Sequence, residues 1–126
     1  MQKTIILDAN AILRYLLCDI KEQADEVEAI LYTSAIMVLP EVAAEVIYTL
    51  TKHYKLPLEN VVDIVLSFLD TFYKENNILH NATSTFAEGR LDFVDCLLYE
   101  YSKLPFYEVV TFDKRLKKKI AEGTIL

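Results

Sequence analysis

Four acidic residues occupy places in the chain from which carboxylates can gather around one metal ion. Asp8 follows the apolar run at residues 5–7, and Asp113 comes shortly after the apolar pair at residues 109–110. Glu45 and Asp95 each fall early in a segment with helical periodicity. Open parallel sheets bind ligands outside the carboxyl ends of their strands, so the two acids that follow strands are expected at one edge. The sequence therefore predicts a site built from carboxylates of four elements.

Carboxylates of this kind are suited to magnesium chemistry. Mg²⁺ takes hard oxygen ligands and keeps several waters, so it needs only a few acids brought together from different elements. Such an ion, alone or as one of a pair, lowers the pKa of a bound water and neutralises charge on a leaving phosphodiester oxygen. The four acids therefore predict a magnesium-dependent nuclease that needs no protein nucleophile.

Other catalytic chemistries have little support in the residues. The chain has only two glycines, so it lacks a glycine-rich phosphate loop. His53 and His80 stand outside any motif, and neither Cys18 nor Cys96 is spaced as a zinc ligand or as part of a cysteine protease site. Nucleotide binding by a phosphate loop, zinc binding and cysteine catalysis are thus disfavoured.

The chain is acidic overall, but one segment of it is rich in basic residues. A formal net charge of −6 argues against a general nucleic-acid binder, because affinity for phosphate backbones comes mainly from Lys and Arg. Yet five of the 13 basic residues lie between Lys114 and Lys119, directly after Asp113. This basic strip can flank the acids, and its candidate RNA contacts are Lys114, Arg115, Lys117 and Lys118.

Composition indicates one domain in a reducing compartment. The 126 residues suit a single domain, residues 1–126, and a hydrophobic share of 53% leaves apolar surface for a partner. The first apolar run is too short for a signal peptide or a spanning helix, so no membrane association is expected. Two cysteines among apolar residues, without a pairing pattern, predict buried free thiols and a cytoplasmic protein.

Alternating strands and helices predict an α/β fold. Strands are expected at residues 3–7, 35–39, 78–79 and 106–111. Helices are expected at residues 9–17, 22–32, 41–53 and 58–72, then from Asp92 and from Lys114. This order implies three layers, α/β/α, with a central, mainly parallel sheet of about four to five strands flanked by helices. The broadly apolar helix at residues 58–72 is either core or a seam for a partner.

Four segments resemble the motifs of PIN-domain ribonucleases, in that family's order and at about its spacing. They are residues 7–13 (LDANAIL), 40–50 (PEVAAEVIYTL), 91–98 (LDFVDCLL) and 109–116 (VVTFDKRL). The chain is most similar to the VapC-like toxins of type II toxin–antitoxin systems. The resemblance runs over residues 5–116.

The resemblance implies a PIN-like fold, an active site and partners. It makes the catalytic and metal-binding set Asp8, Glu45, Asp95 and Asp113, with Asn10, Thr111 and Asp92 in support. Glu41 fits less well than Glu45, because the family's glutamate stands in the middle of the helix motif and not beside the proline. The resemblance further implies Mg²⁺ or Mn²⁺, an RNA substrate, a homodimer and a protein antitoxin whose tail inhibits the site.

Each of these features also has an ordinary structural explanation. Asp8 and Asp92 suit helix N-caps, Asp95 suits a capping box, and the basic strip suits a solvated last helix. A non-catalytic interaction module is one rival function, although crowded acids without a metal would cost stability. An aspartate-dependent phosphatase or receiver is another, disfavoured because Asn10 stands where a phosphatase would have a second aspartate.

Overall fold

Helices make up most of the structure, a computed structural model that describes residues 3–75 and 77–123. In chain order the elements are β1 (Ile5–Ile6), α1 (Ala9–Leu17), α2 (Lys21–Thr33), β2 (Ile36–Met37), α3 (Pro40–Tyr48), a π-helical segment (Thr49–His53), α4 (Leu58–Phe72), α5 (Asn77–Phe86), α6 (Phe93–Ser102) and α7 (Lys114–Gly123). The six predicted helices are therefore all present, with bounds close to those expected.

The sheet consists of β1 and β2, which pair in parallel. Ile5 lies opposite Ile36, and Ile6 lies opposite Met37. The connection between them carries α1 and α2, which pack against each other, as a parallel pair requires a long crossover. Both strands lie inside the segments predicted for them but are shorter than expected. The order of strands and helices thus fits an α/β fold with a small parallel sheet.

The predicted strand at residues 78–79 is wrong, because those residues belong to α5. Ile78, Leu79, Ala82 and Phe86 recur at helical spacing, and Leu79 and Ala82 are completely buried. A pair of apolar residues is too short to distinguish a strand from one turn of a helix. The helical spacing of apolar residues over the whole of 78–86 is the better indication of secondary structure.

The predicted strand at residues 106–111 also does not form in the structure. Phe106, Val110 and Phe112 are 83%, 82% and 90% exposed. Within the described part of the chain, residues 108–112 make no backbone hydrogen bond to either strand. The sheet described here has two strands, where four to five were expected. A strand is stable when it has a neighbouring strand to pair with and a face to bury. Among the described residues this segment has neither.

The core is one cluster of buried side chains that extends from β1 and α1 through β2 to α6. Ile47 of α3, Leu50 of the π-helical segment and Val61 of α4 are among its most deeply buried side chains. Helix α3 contacts α1 and α6, while α6 also contacts α5 and α7. The broad apolar face of α4 is mostly core, since Val61, Val62, Val65, Phe68 and Leu69 are buried. Among the helices described, none is both long enough and apolar enough to cross a membrane.

The two cysteines differ in environment, contrary to the expectation that both are buried. Cys96 on α6 is buried and free, whereas Cys18 is free and exposed. Cys18 follows the last residue of α1 with a φ of 52°, in the left-handed region that commonly ends a helix. Its apolar neighbours in sequence belong to a helix that has ended, and therefore do not predict its burial.

Candidate metal and nucleic-acid site

Asp8 lies at the junction of β1 and α1, as predicted. Its carboxylate accepts a hydrogen bond from the backbone N–H of Ala11, at 2.8 Å, and so caps the N-terminus of α1. This bond satisfies one of the four donors that a helix start leaves without a partner. The residue is otherwise exposed. Asp8 therefore has a defined structural role and an accessible carboxylate.

Asp92 and Asp95 lie together at the start of α6. Asp92 is the N-cap, and its Oδ1 accepts a hydrogen bond from the backbone N–H of Asp95 at 2.9 Å. Asp95, on the first turn, is partly buried. The capping geometry thus fixes the position of Asp95, the residue predicted from the third motif to be a metal ligand.

The charge of Asp113, the acid of the fourth motif, acts on Asp95. Burial raises the pKa of the Asp95 carboxyl above its ordinary value. The negative charges of Asp92 and Asp113, in that order, raise it further, as does a hydrogen bond with Asp92. Helix N-termini favour negative charge, yet crowding and burial outweigh that effect here. Three carboxylates from two distant segments therefore share one negative region of the surface.

Asp113 directly precedes α7 and is held by three hydrogen bonds. Its Oδ1 accepts from the backbone N–H of Leu116 at 2.9 Å, and its carbonyl oxygen accepts from the N–H of Lys117 at 3.0 Å. Its own N–H donates to the hydroxyl of Thr111 at 3.1 Å. Leu116 is completely buried and attaches this turn to the core. Thr111 thus supports the position of Asp113 through the backbone.

Glu45 and Asn10 are exposed, on α3 and α1 respectively. Glu45 lies on α3, which contacts both α1 and α6, and Asn10 lies in the first turn of α1. Among the described residues, neither Glu45 nor Asp8 forms a hydrogen bond or ion pair with the other three acids. Glu41 is also exposed. The structure therefore brings together Asp92, Asp95 and Asp113 and leaves two of the four predicted acids unconnected to them.

The acids suit a hard divalent cation in chemical type. In residues 3–75 and 77–123 no group of three or more His, Cys, Asp or Glu side chains is arranged to hold a metal ion. The region nevertheless offers only carboxylate oxygens, the donors that Mg²⁺ prefers. The raised pKa of Asp95 marks a place where added positive charge would be stabilising. The donors therefore fit such an ion in chemical type, and Asp95 is the acid whose pKa the charges of Asp92 and Asp113 help to raise.

A groove of about 520 Å³ lies beside Asp92, the N-cap of α6. Its wall includes Asp92, Tyr48 at the end of α3, Lys52 in the π-helical segment, and the cations Arg90 and Arg115. Of the basic strip, Lys114 and Lys117 are exposed and do not line it, and the Lys117 ammonium lies 5.6 Å from the ring centre of Phe112. The groove therefore joins acidic and basic groups on one surface.

Sequence reasoning missed the buried carboxylate of Glu100. This side chain of α6 accepts a hydrogen bond from Thr85 at 2.9 Å and pairs with Lys103 at 3.2 Å. It is only 3% exposed, and nothing in its local sequence distinguishes it from a solvated helix acid. A buried charge is retained only with partners such as these, so its role is to join α5 to α6.

The buried thiol of Cys96 is chemically quiet. Burial, followed by the charges of Asp92, Asp95, Glu88 and Glu100, raises the pKa of Cys96 to about 12. The thiolate is the nucleophilic and metal-binding form of cysteine. Cys96 thus remains protonated at neutral pH, which agrees with a site made of oxygen donors.

Comparison with known proteins identifies the family. Neither curated proteins nor solved structures gave a match to the chain. The model of the PIN domain family matches residues 5–121, which include all four motifs and every acid described above. The chain therefore belongs to the PIN-domain family.

Proposed function

We propose that the protein is a metal-dependent endoribonuclease that hydrolyses RNA phosphodiester bonds with an activated water. PIN domains are generally nucleases and typically use divalent metal ions. The observation that carries the proposal is that burial, followed by the negative charges of Asp92 and Asp113, raises the pKa of the Asp95 carboxyl. Like charges held this close are costly unless a cation joins them.

Asp8, Glu45, Asp95 and Asp113 are the residues that would hold Mg²⁺ or Mn²⁺, with Asp92 as an outer ligand. When bound, the ion supplies a water of lowered pKa and offsets charge on the leaving oxygen. The chain's own contribution is positional. The caps at Asp8 and Asp113 each use one carboxylate oxygen for a backbone N–H, so the other oxygen of each would be the one that binds the ion. Asp92 caps the N–H of Asp95 and also hydrogen-bonds the Asp95 side chain. Asn10 and Thr111 support this set.

Proteins with this arrangement of motifs resemble VapC-like toxins, so we extend the proposal to a toxin that acts in the cytoplasm as a homodimer. Its partner would be a protein antitoxin that covers the site. Exposed apolar side chains favour a partner-bound state, and Phe106, Val110 and Phe112 are the most exposed of them. Coexpression with the product of a small adjacent gene, followed by copurification, tests this part separately.

Cleavage of end-labelled total and transfer RNA by the purified, partner-free protein tests the nuclease. Mg²⁺ and Mn²⁺ are compared with EDTA. The variants Asp8→Asn and Asp95→Asn each remove a ligand charge at nearly constant size, whereas Asp63→Asn is the control, an exposed acid on α4. We expect metal-dependent cuts that the first two variants reduce by at least about 100-fold, since even outer partners of metal ligands cost 10–100-fold.

Two results would contradict the proposal. Unchanged cleavage by both ligand variants would assign any hydrolysis to a contaminant or to another site. Absence of cleavage with either ion, together with no calorimetric signal of metal binding, would instead favour a non-catalytic module that keeps the fold for partner binding.

A further inference from the structure

A second cavity, of about 310 Å³, lies between the loop after α5 and helix α7. Four of its six lining residues are cations, and the full set is Gly89, Arg90, Leu91, Arg115, Lys118 and Lys119. Positions 115, 118 and 119 fall on one face of α7, because residues three and four apart are neighbours on a helix. The loop brings Arg90 to the same place. We call this the basic pocket.

One of the four cations is already paired. The Lys119 ammonium lies 2.9 Å from Glu88 and 5.1 Å from the centre of the Tyr99 ring, and its side chain is largely buried. The hydrogen bond to Glu88 raises the pKa of Lys119, so this residue stays charged and forms a fixed wall. Across the described ranges, Arg90, Arg115 and Lys118 make no ion pair. The pocket therefore has a surplus of positive charge.

The basic pocket is continuous with the groove whose wall includes Asp92. Both are lined by Gly89, Arg90, Leu91 and Arg115, and the groove extends to Asp92. Helix α7 directly follows Asp113, whose charge acts on Asp95. An RNA strand carries one phosphate for every nucleotide. A strand whose scissile phosphate lies at the acids therefore has further phosphates within reach of the pocket.

We propose that the basic pocket binds a backbone phosphate of the RNA strand beside the one that is cleaved. This inference rests on the proposed function. Arg115 and Lys118 make the main contacts, Arg90 closes the pocket from the loop, and Lys119 forms its wall. Lys114 and Lys117, on the same helix, line neither the pocket nor the groove. The basic strip thus divides into residues that line the pocket and bind the phosphate, and exposed residues that line neither cavity.

The lining and non-lining cations of α7 provide a matched pair of double variants. Arg115→Gln with Lys118→Gln removes two charges from the pocket, and Lys114→Gln with Lys117→Gln removes two charges from residues that line neither the pocket nor the groove. Binding of a fluorescent, short single-stranded RNA is measured by anisotropy in EDTA, over a range of salt concentrations. Thermal melts of each variant establish that the fold is kept.

We expect the pocket variant to bind on the order of tenfold more weakly. Its slope of log affinity against log salt should fall by about 0.7 for each phosphate that the protein no longer neutralises. The matched variant should keep nearly the wild-type slope. Equal losses of affinity in the two variants would overturn the pocket and return the strip to general electrostatics. Tighter, Arg115-dependent binding of an acidic peptide of equal charge would overturn it in favour of a protein ligand.

Failure of the pocket and failure of the nuclease give different results. Metal-dependent cleavage by the wild type, with both double variants binding RNA alike, keeps the nuclease and removes the pocket. Loss of binding confined to the pocket variant, in a protein that cuts no RNA, keeps the pocket as an RNA-binding site and removes the nuclease.

Discussion

The backbone N–H of Asp95 donates a hydrogen bond to the carboxylate of Asp92, so that one acid of the site holds the helical turn that carries the other. The bond that starts α6 also places two negative charges side by side. Burial and the charge of Asp113 add to this crowding. The same helical turn therefore contains the N-cap of α6 and acids of the proposed metal site. The effect of their proximity on the free energy of unfolding can be measured.

Asp95→Asn is expected to stabilise the metal-free protein at neutral pH. The folded pKa of Asp95 lies above its ordinary value of 3.8, so the ionised carboxyl destabilises the folded state. That penalty is absent below pH 3.8 and complete above the folded pKa. Urea unfolding in EDTA should therefore show a gain that grows as the pH rises from about 4 and levels off above the folded pKa of Asp95. A gain that is the same at all pH values, or a similar gain in Asp63→Asn, would contradict this account.

Replacements of Asp8 should separate its capping role from its proposed role in metal binding. Asparagine is as good an N-cap as aspartate, whereas alanine cannot accept the bond from the Ala11 N–H. Asp8→Asn should keep the stability of the protein, and Asp8→Ala should lose about 1 kcal/mol. Both should lose metal-dependent cleavage. Chemical denaturation and the RNA cleavage assay measure the two effects; activity that tracked stability across the pair would assign Asp8 a structural role alone.

Thr85→Val should destabilise the fold through the buried carboxylate of Glu100. The hydroxyl of Thr85 donates to that carboxylate at 2.9 Å, and valine keeps the shape without the donor. A hydrogen bond to a charged group contributes about 1.5–3 kcal/mol, and we expect a loss in this range by urea unfolding. Thr33→Val, at an exposed hydroxyl on α2, is the control and should change little.

The segment at residues 106–112 should be the first place cut by chymotrypsin. Phe106, Tyr107 and Phe112 are exposed aromatic residues on a stretch without helix or strand, and such segments are preferred sites of proteolysis. Brief digestion followed by mass spectrometry should find the earliest cuts there. Resistance of these bonds, with earlier cuts at Tyr32 or Tyr48, would indicate that the segment is covered in solution, either by the sheet or by a second chain.

Much of the helical structure could be predicted from the sequence. The residues of α1 and α4 match their predicted bounds, because each has a strong apolar face and a clear start at Asp8 or Pro57. The predicted helix starts also place Asp8, Asp92 and Asp113 correctly, each immediately before the first residue of a helix. Local hydrogen bonding decides these features, and local sequence therefore reveals them.

Long-range features were harder to predict. Whether residues 106–111 pair with β1 depends on contacts between distant parts of the chain, and periodicity alone does not specify them. The association of Asp113 with Asp95 followed from motif order, whereas the charges of Arg90 and Lys119 around one cavity did not. Arg90 in the loop and Lys119 on α7 become neighbours only through the packing of α7 on α6. No spacing in the sequence indicates that packing.

The unlike environments of the two thiols make the native chain a ready-made substrate for single-site labelling. Cys18 is exposed at the end of α1, while the thiol of Cys96 is buried with its pKa raised to about 12. A maleimide dye at neutral pH should attach once per folded chain, at Cys18, and a second time only after unfolding. The helix that Asp8 caps thereby acquires a fluorescent reporter without any substitution near the acids, and the count of labels becomes a direct assay of folding.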